Sequence, residues 1–491
     1  MSHSKPLPPG PTCLGVLRHP AVGIRLPELF LPGILAAYKA RGVAGGLMLS
    51  FGRETAPQAV IQAPPGAWEI TRGHTGTSIR EYLTQGAQAA IAAGVPVELE
   101  ADHLIVIGSA TAAVQRIAGY HAASHLSAEA LQRSLEYNFQ ALDEAAATGV
   151  VGSFTTDTSD LFWRPADRLR PSQVRQLFAE RFPGEEGKAL LDRYRRRRVF
   201  PAPGGREVQV SLSELQAMRL ALKFHQSLRI NAQIYRYCRQ KLGDRPFSFE
   251  ISLDETEALT SPRETLFYLT EWQAMGLPCH FFAPNIGFRK RADYQGDLAA
   301  LERRVRQHHA IAQGVAGALL SIHSGSGTTP YSGKGAGTYE ALLAATGGQL
   351  KYKISGVYYE LLLELLAAQP AGSSGYTLYR QIFDAVRQFL KDEVKRGGTL
   401  AQPLLIQQLQ QYDREVARNP RRRRDPRADF FRFHSYLALN LRDAAGNRPF
   451  REGLIGYVRS DPDFRAQLDE EVRALTLRLI DGLHLGGNWR T

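Results

Sequence analysis

FSFEISLDETEALTSPRE, residues 247–264, contains both halves of one βα unit. Its first eight residues are β-rich, and Glu250, Ser252 and Asp254 alternate onto one face of a strand. Ser261, Pro262 and Glu264 combine an N-cap, a proline at the first helical position and a capping-box glutamate, so the spacing predicts a helix from Pro262. Outward from this unit, short β-rich runs ending in polar or glycine residues recur. They are GGLMLSFG (45–52), VELEADH (97–103), VVGSFTTD (150–157), CHFFAPN (279–285), ALLSIHSG (318–325), LKYKISG (350–356) and DFFRFHS (429–435). With 247–254 they number eight, as a closed parallel barrel needs. The expected fold is therefore α/β, a (β/α)8 TIM barrel in one domain over residues 1–491. A capping box at Ser211 to Glu214 opens a helical segment inside an insertion at about 160–245, and helical decorations are expected at about 357–428 and 460–491.

The composition, 44% hydrophobic and 22% charged over 491 residues, is that of a soluble globular protein. Cys13, Cys238 and Cys279 are odd in number and widely spaced, which argues against a disulfide framework or zinc ribbon and for a reducing cytoplasm. The proline-rich start lacks a signal-peptide core, and no run approaches the ~20 apolar residues of a membrane span. A net charge of +12 favours anionic ligands. Much of the excess lies in RYRRRR (193–198) and RNPRRRRDPR (418–427), read as solvated loops or helix faces rather than nucleic-acid contacts.

In a barrel, chemistry gathers where strands end. Those ends carry Glu100, Asp102 and His103; Asp157; Glu250 and Asp254; Asn285; His323; Lys353; and His434. Carboxylates aimed into a barrel are costly unless paired, protonated or bound to metal. With His323 they make a divalent cation, Zn, Mn, Co or Ni, the expected cofactor. Glu98 reads as a residue of the stability face, the His121/His125 pair as surface or packing without an HExxH glutamate, and His308 and His309 as structural. The glycine-rich loop 324–340 with Lys334, or the cluster Arg289, Lys290 and Arg291, is suited to hold an anion. Neither is a Walker A motif, and no Rossmann fingerprint or nucleophile elbow is present.

Residues 247–366 resemble the tagaturonate epimerase family, enzymes that interconvert tagaturonate and fructuronate. The resemblance rests on EISLDETEALTSPRE (250–264), APN and GFRKRADYQGDL (283–298), SIHSGSG (321–327) and KYKISG followed by YYELLLELL, with ADH at 101–103. It departs after HSGS, where an acidic residue and a lysine are expected but Gly327, Thr328 and Thr329 follow. Neutral hexuloses, tagatose and fructose, therefore stand beside the sugar acids as substrates.

The resemblance implies inversion at C4 of the ketose, which lies β to the ketone and is untouched by simple enolisation. Retro-aldol cleavage between C3 and C4, rotation of the aldehyde and re-addition is the economical route. The residues expected to carry it are Asp102, Glu250 and His323 as metal ligands, and His103, Asp157 and Asp254 as acid, base or orienting groups. Asn285, Arg289, Lys334 and Lys353 are expected to bind substrate. A metal-dependent sugar-acid aldolase or lyase and an RNA-binding protein are the competing readings. The expected partner is a small sugar or sugar acid, without membrane or nucleic acid and with room for a homo-oligomer.

Overall fold

A computed structural model of the chain describes residues 7–107 and 126–489. His121 and His125 lie outside the described residues. Eight parallel strands close into a barrel: β1 His19–Gly23, β2 Gly45–Ser50, β3 Pro96–Ile105, β4 Ser153–Asp157, β5 Ser248–Ser252, β6 Phe281–Ala283, β7 Leu319–Ile322 and β8 Leu350–Ile354. The seam joins β8 to β1, Lys351 opposite His19 and Lys353 opposite Ala21.

Seven of the eight strands lie where the sequence placed them, and the eighth does not. DFFRFHS forms a short helix, Asp429–His434, which buries Phe430 and Phe431 against Phe383. Its alternating aromatics mimic a strand, and a window this short does not separate the two periods. The missing strand is HPAVG, disguised by Pro20 and by the proline-rich run before it. Pairing with β2 begins only at Ala21, so the absent Pro20 N–H costs no bond on that side.

The helices that follow the strands form the shell. α1 Pro27–Arg41, α2 Ile79–Ala93, α3 Ala128–Ala147, α4 Glu214–Leu242, α5 Pro262–Ala274, α6 Leu298–Ala316, α7 Thr338–Thr346 and α8 Val357–Ala367 each follow their strand in order. Ser261 and Glu264 cap α5 reciprocally. The cap of α4 is Ser213 with Gln216, two residues beyond the expected box. The insertion between β4 and β5 also holds a hairpin, Arg198–Ala202 with Arg206–Val210. Helices Ser374–Arg396, Pro403–Arg418, Pro449–Ser460 and Pro462–Gly482 follow α8. The last packs on α1, where Gly33 meets Val472 and Arg41 grips Asp481. Beyond it, the buried Asn488 amide accepts from Ala44 N and donates to the carbonyls of Ala44 and Arg18, pinning the starts of β1 and β2 together.

The strands divide their side chains sharply. Outward residues such as Leu47, Leu99, Phe154, Phe249, Phe282 and Tyr352 join the apolar core beneath the helices. Most inward residues are polar or charged: His19, Glu98, Glu100, Asp102, Ser153, Thr155, Ser248, Glu250, Ser321, Lys351 and Lys353 are all buried, with Phe281 packed against His19 and Lys351 and Met48 at the mouth. A barrel interior is usually filled with branched apolar side chains. Here a charged column fills it, held together by lysine–carboxylate pairs. Several arginines of the two runs are paired within the chain, Arg193 to Glu271, Arg424 to Asp384 and Arg427 to Glu364. Among the described residues no helix is long and apolar enough to cross a membrane.

Candidate active site

Successive side chains of a strand point to opposite faces, so Asp102 and His103 should part company. A bulge between Ala101 and Leu104 breaks the alternation, and His103 takes the left-handed conformation at φ 49°. Both residues therefore line the cavity at the C-terminal mouth of the barrel. Of the five non-glycine residues with positive φ among the described residues, three, His103, Arg291 and Ser324, line this cavity. Backbone strain of this kind persists where surrounding structure enforces it, characteristically at functional sites.

Two histidines are oriented by carboxylates behind them. Asp102 Oδ2 holds His103 Nδ1 at 2.8 Å, and Glu250 Oε1 holds His323 Nε2 at 2.6 Å. The free edges of the rings face Asp254: His323 Nδ1 lies 3.2 Å from Asp254 Oδ1 and the ring centroids are 5.0 Å apart. Ligand atoms of His103, Asp254 and His323 all fall within 4.8 Å of one another, and His323 Nδ1 is buried without a hydrogen-bond partner among the described residues. A carboxylate on the outer nitrogen of each imidazole is the arrangement that fixes the tautomer of metal-binding histidines. This donor set fits a divalent cation.

The trio differs from the one read from the sequence. Asp102 and Glu250 sit behind the histidines and are neutralised by lysines: Lys353 Nζ lies 2.7 Å from Asp102 Oδ1, 2.8 Å from Thr155 Oγ1 and 2.9 Å from Glu250 Oε1. Lys351 bridges Glu100 and Glu250 at 2.8 and 3.0 Å. Burial alone would raise the pKa values of both carboxyls. His103 and Lys353 overcome it at Asp102, and Lys351 and Lys353 at Glu250, so both stay well below the usual carboxylate range. Burial likewise opposes charge on His323, but Asp254 and Glu250 outweigh it and lift the imidazole to about 9.

The cavity encloses about 860 Å³ of empty space counted to its open mouth. Its other wall is cationic. Arg25 Nε is held by Glu54 Oε1 at 2.8 Å, and Arg291 Nε by Glu360 Oε1 at 3.0 Å, while the Nη1 of each guanidinium is buried and unpartnered among the described residues. Burial, reinforced by Arg25 and Arg432 against the pull of Glu360, lowers Arg291 to about 10. The Arg25 guanidinium lies against Gly356, at φ 79°, where a Cβ would approach it to 3.2 Å. Burial would raise Glu54, but Arg25 and His74 bring it to about 2, so a permanent carboxylate aims Arg25. Arg25 and Arg291 both line this cleft, and two guanidinium groups on one wall suit a carboxylate ligand.

Several expected contacts lie elsewhere. Lys334 is buried and donates to the carbonyls of Arg289, Ser324 and Ser326, tying the glycine-rich loop together rather than facing the cavity. Burial lowers its amine to about 7, opposed by Asp293. Arg289 is exposed and contributes that carbonyl, whereas its neighbours Lys290 and Arg291 line the cleft. Asn285 donates to the carbonyls of Thr256 and Ala258, bracing the loop after β5. Asp157 is buried and accepts from Ser159 N. His434 Nδ1 donates to the Phe430 carbonyl within its helix, and His308 bonds Thr265 Oγ1. Lys353 and Asp254 do line the cleft. Arg25, Arg53, Glu54 and His74 line it too, unforeseen. Arg53 and Glu54 stand just past GGLMLS, so reading that strand end more fully would have found them, whereas Arg25 stands two residues past the unrecognised strand HPAVG.

Residues 114–416 match the family described as tagaturonate epimerase. The tagaturonate/fructuronate epimerase of Thermotoga maritima is 28% identical over 244 residues, 49% of this chain and 46% of that protein, so the match spans about half the length of the curated relative. The glycerol-complexed structure of fructuronate-tagaturonate epimerase from Cohnella laeviribosi superposes with a TM-score of 0.64 at 20% identity, covering 97% of this chain and 83% of that one. Its native form gives 0.62 at 19% over the same shares. At these identities the likeness establishes the shared barrel fold.

Proposed function

Because the chain belongs to the tagaturonate epimerase family, we propose that it inverts C4 of a ketohexuronate, interconverting tagaturonate and fructuronate. The observation that carries this reading is the composition of one cleft: a His103, Asp254 and His323 trio in the same cavity as the guanidinium groups of Arg25 and Arg291. A ketohexuronate has matching ends, a ketone with flanking hydroxyls and a carboxylate.

A divalent cation held by His103, Asp254 and His323 would supply Lewis-acid stabilisation of the enediolate oxygens at C2 and C3. The chain's own groups do the rest. Asp102 and Glu250 keep the two imidazoles in one tautomer and orientation, and Lys353 fixes both carboxylates. Arg25 and Arg291 bind the substrate carboxylate at C6 and so hold the three-carbon aldehyde after the C3–C4 bond breaks. Glu255, whose Oε1 lies 3.9 Å from His103 Nε2, takes the C4 hydroxyl proton during cleavage and returns it on re-addition. Its pairing with Arg53 and Lys290, each at 3.2 Å, holds it in place.

The test is product analysis with tagaturonate and metal-loaded protein in heavy water. Fructuronate should form with no deuterium at C4, and added labelled three-carbon aldehyde acid should enter it. Deuterium washing into C4 would overturn the cleavage route, and accumulation of three-carbon fragments without fructuronate would make the protein a lyase.

A further inference from the structure

Below the catalytic cleft, at the N-terminal floor of the barrel, a second histidine–carboxylate cluster is sealed from solvent. His19 opens β1, and Glu98 and Glu100 share the inward face of β3; all three are fully buried. His19 Nε2 lies 4.0 Å from Glu98 Oε2 and 3.9 Å from Glu100 Oε1. Among the described residues none of these three atoms has a hydrogen-bond partner. Every other polar atom of the trio is engaged. His19 Nδ1 faces the Leu17 carbonyl at 2.7 Å, Glu98 Oε1 accepts from Leu14 N and Ser248 Oγ, and Glu100 Oε2 accepts from Lys351.

The His19 contact to a carbonyl settles the tautomer. Only a protonated Nδ1 can face a carbonyl oxygen at that distance, so in the neutral ring Nε2 presents a lone pair. Three acceptors thus converge on one point with no donor between them, in a dry interior where unpaired polar atoms are costly. A single shared proton joins two heavy atoms about 2.5–2.9 Å apart and does not span three at about 4 Å. A water donates two hydrogens and would leave the third acceptor facing its oxygen. A point among the three atoms lies roughly 2.3–2.5 Å from each, within reach of the metal–ligand distances of first-row divalent cations after slight closure. The space is kept open by Gly46, where a Cβ would collide with Glu100 Oε1 and meet the Cβ of Ala21 at 2.8 Å.

We propose that His19, Glu98 and Glu100 form a second, structural cation site, occupied by a first-row divalent ion such as Zn²⁺ or Mn²⁺ and separate from the cleft. The ion joins β1 to β3 across β2 and offsets the carboxylates that Lys351 leaves uncompensated. It does not depend on the epimerase reading. Because the site is closed, its ion enters as the chain folds and exchanges far more slowly than one in the open cleft.

Metal counting on the full-length protein, refolded in Zn²⁺ or Mn²⁺ and freed of loose ions, tests the proposal. His103→Ala, which breaks the cleft trio, should retain one tightly held ion per chain; adding His19→Ala should remove it. The retained ion should resist brief chelation that strips the cleft. If the doubly substituted chain does not fold, anomalous scattering from wild-type crystals collected at the metal edge should show a peak among His19, Glu98 and Glu100. A His103→Ala protein devoid of metal, or wild-type crystals with no peak at the floor, would overturn the proposal and leave a water or a protonated Glu98 closing the cluster.

Discussion

The mouth and the floor of this barrel are made of the same residue types, histidines facing carboxylates, and differ in what lies behind and in front of them. At the mouth each histidine is backed by a carboxylate, Asp102 or Glu250, and opens onto a cavity of about 860 Å³ walled by Arg25 and Arg291. At the floor His19 is backed by the neutral carbonyl of Leu17 and faces carboxylates in a space with no exposure at all. A carboxylate behind an imidazole raises its basicity and leaves a reactive edge for substrate chemistry. A backbone carbonyl only fixes the tautomer. On the proposed reading, solvent access and the group behind each ring, rather than the residue types, would separate a reacting centre from a brace.

The sharpest way to break this comparison is to remove one histidine from each end. His323→Ala should lower kcat by about a thousandfold or more, since it takes a proposed ligand from the reacting atoms, with a modest change in unfolding midpoint. His19→Ala should do the reverse, costing about 2–4 kcal/mol in chemical denaturation while the folded fraction keeps most of its turnover per molecule. Equal damage to activity from both substitutions would erase the distinction between the ends.

Acid titration probes the histidines that belong to neither cluster. Burial lowers His74 to about 3, with Arg25 adding to the effect, and lowers His308 and His434 to about 4. Each is neutral in the fold and takes up a proton near pH 6.5 when unfolded. Stability is therefore fully present above pH 6.5 and falls as pH drops toward 4, by up to about 3 kcal/mol for His308 alone. Urea midpoints measured across this window should fall less steeply in His308→Asn than in the parent. Identical slopes would show that His308 does not titrate in this way.

At the mouth, Arg291→Met should reduce kcat/KM for a ketohexuronate by about 10- to 100-fold, the range of one or two charged hydrogen bonds. The neutral hexulose should lose little. Equal losses on both substrates would remove the carboxylate clamp from the proposal. The smallest effect is expected from Lys334→Met. It deletes bonds to three loop carbonyls but relieves the burial of an amine whose pKa lies near 7, so the net loss is about 1 kcal/mol. That contribution grows as pH rises from 7 toward 10.5, and both substrate classes should respond alike. Selective loss of the acidic substrate would return Lys334 to the cleft.

Periodicity exposed seven strands and the clean cap of α5 because local signals and tertiary placement agree there. It failed at HPAVG and DFFRFHS, where a few residues fit either period and only packing decides. Strand ends brought Asp102, His103, Glu250, Asp254, His323 and Lys353 into view. Their roles were not legible, because a one-residue bulge and two lysines decide which carboxylates face the cavity. Lys334 illustrates the opposite error: a lysine in a glycine-rich loop looks like an anion ligand until three carbonyls are seen around it. Arg25 was hidden by the strand before it, and the floor cluster by the expectation that Glu98 merely supports the barrel.

The seam of the barrel has a temporal meaning as well as a spatial one. β1 acquires its second neighbour only when β8, more than 300 residues downstream, is available, and the Asn488 amide that ties Ala44 to Arg18 lies 444 residues beyond Ala44. During synthesis the first strand must therefore wait, edge exposed, until β8 at Leu350–Ile354 has left the ribosome, and the Asn488 tie comes later still. Contacts of such long sequence separation form late and slowly. An open sheet with so charged an inner face resists edge pairing with copies on a polysome. The polar column that arms the finished barrel thus also guards the unfinished one.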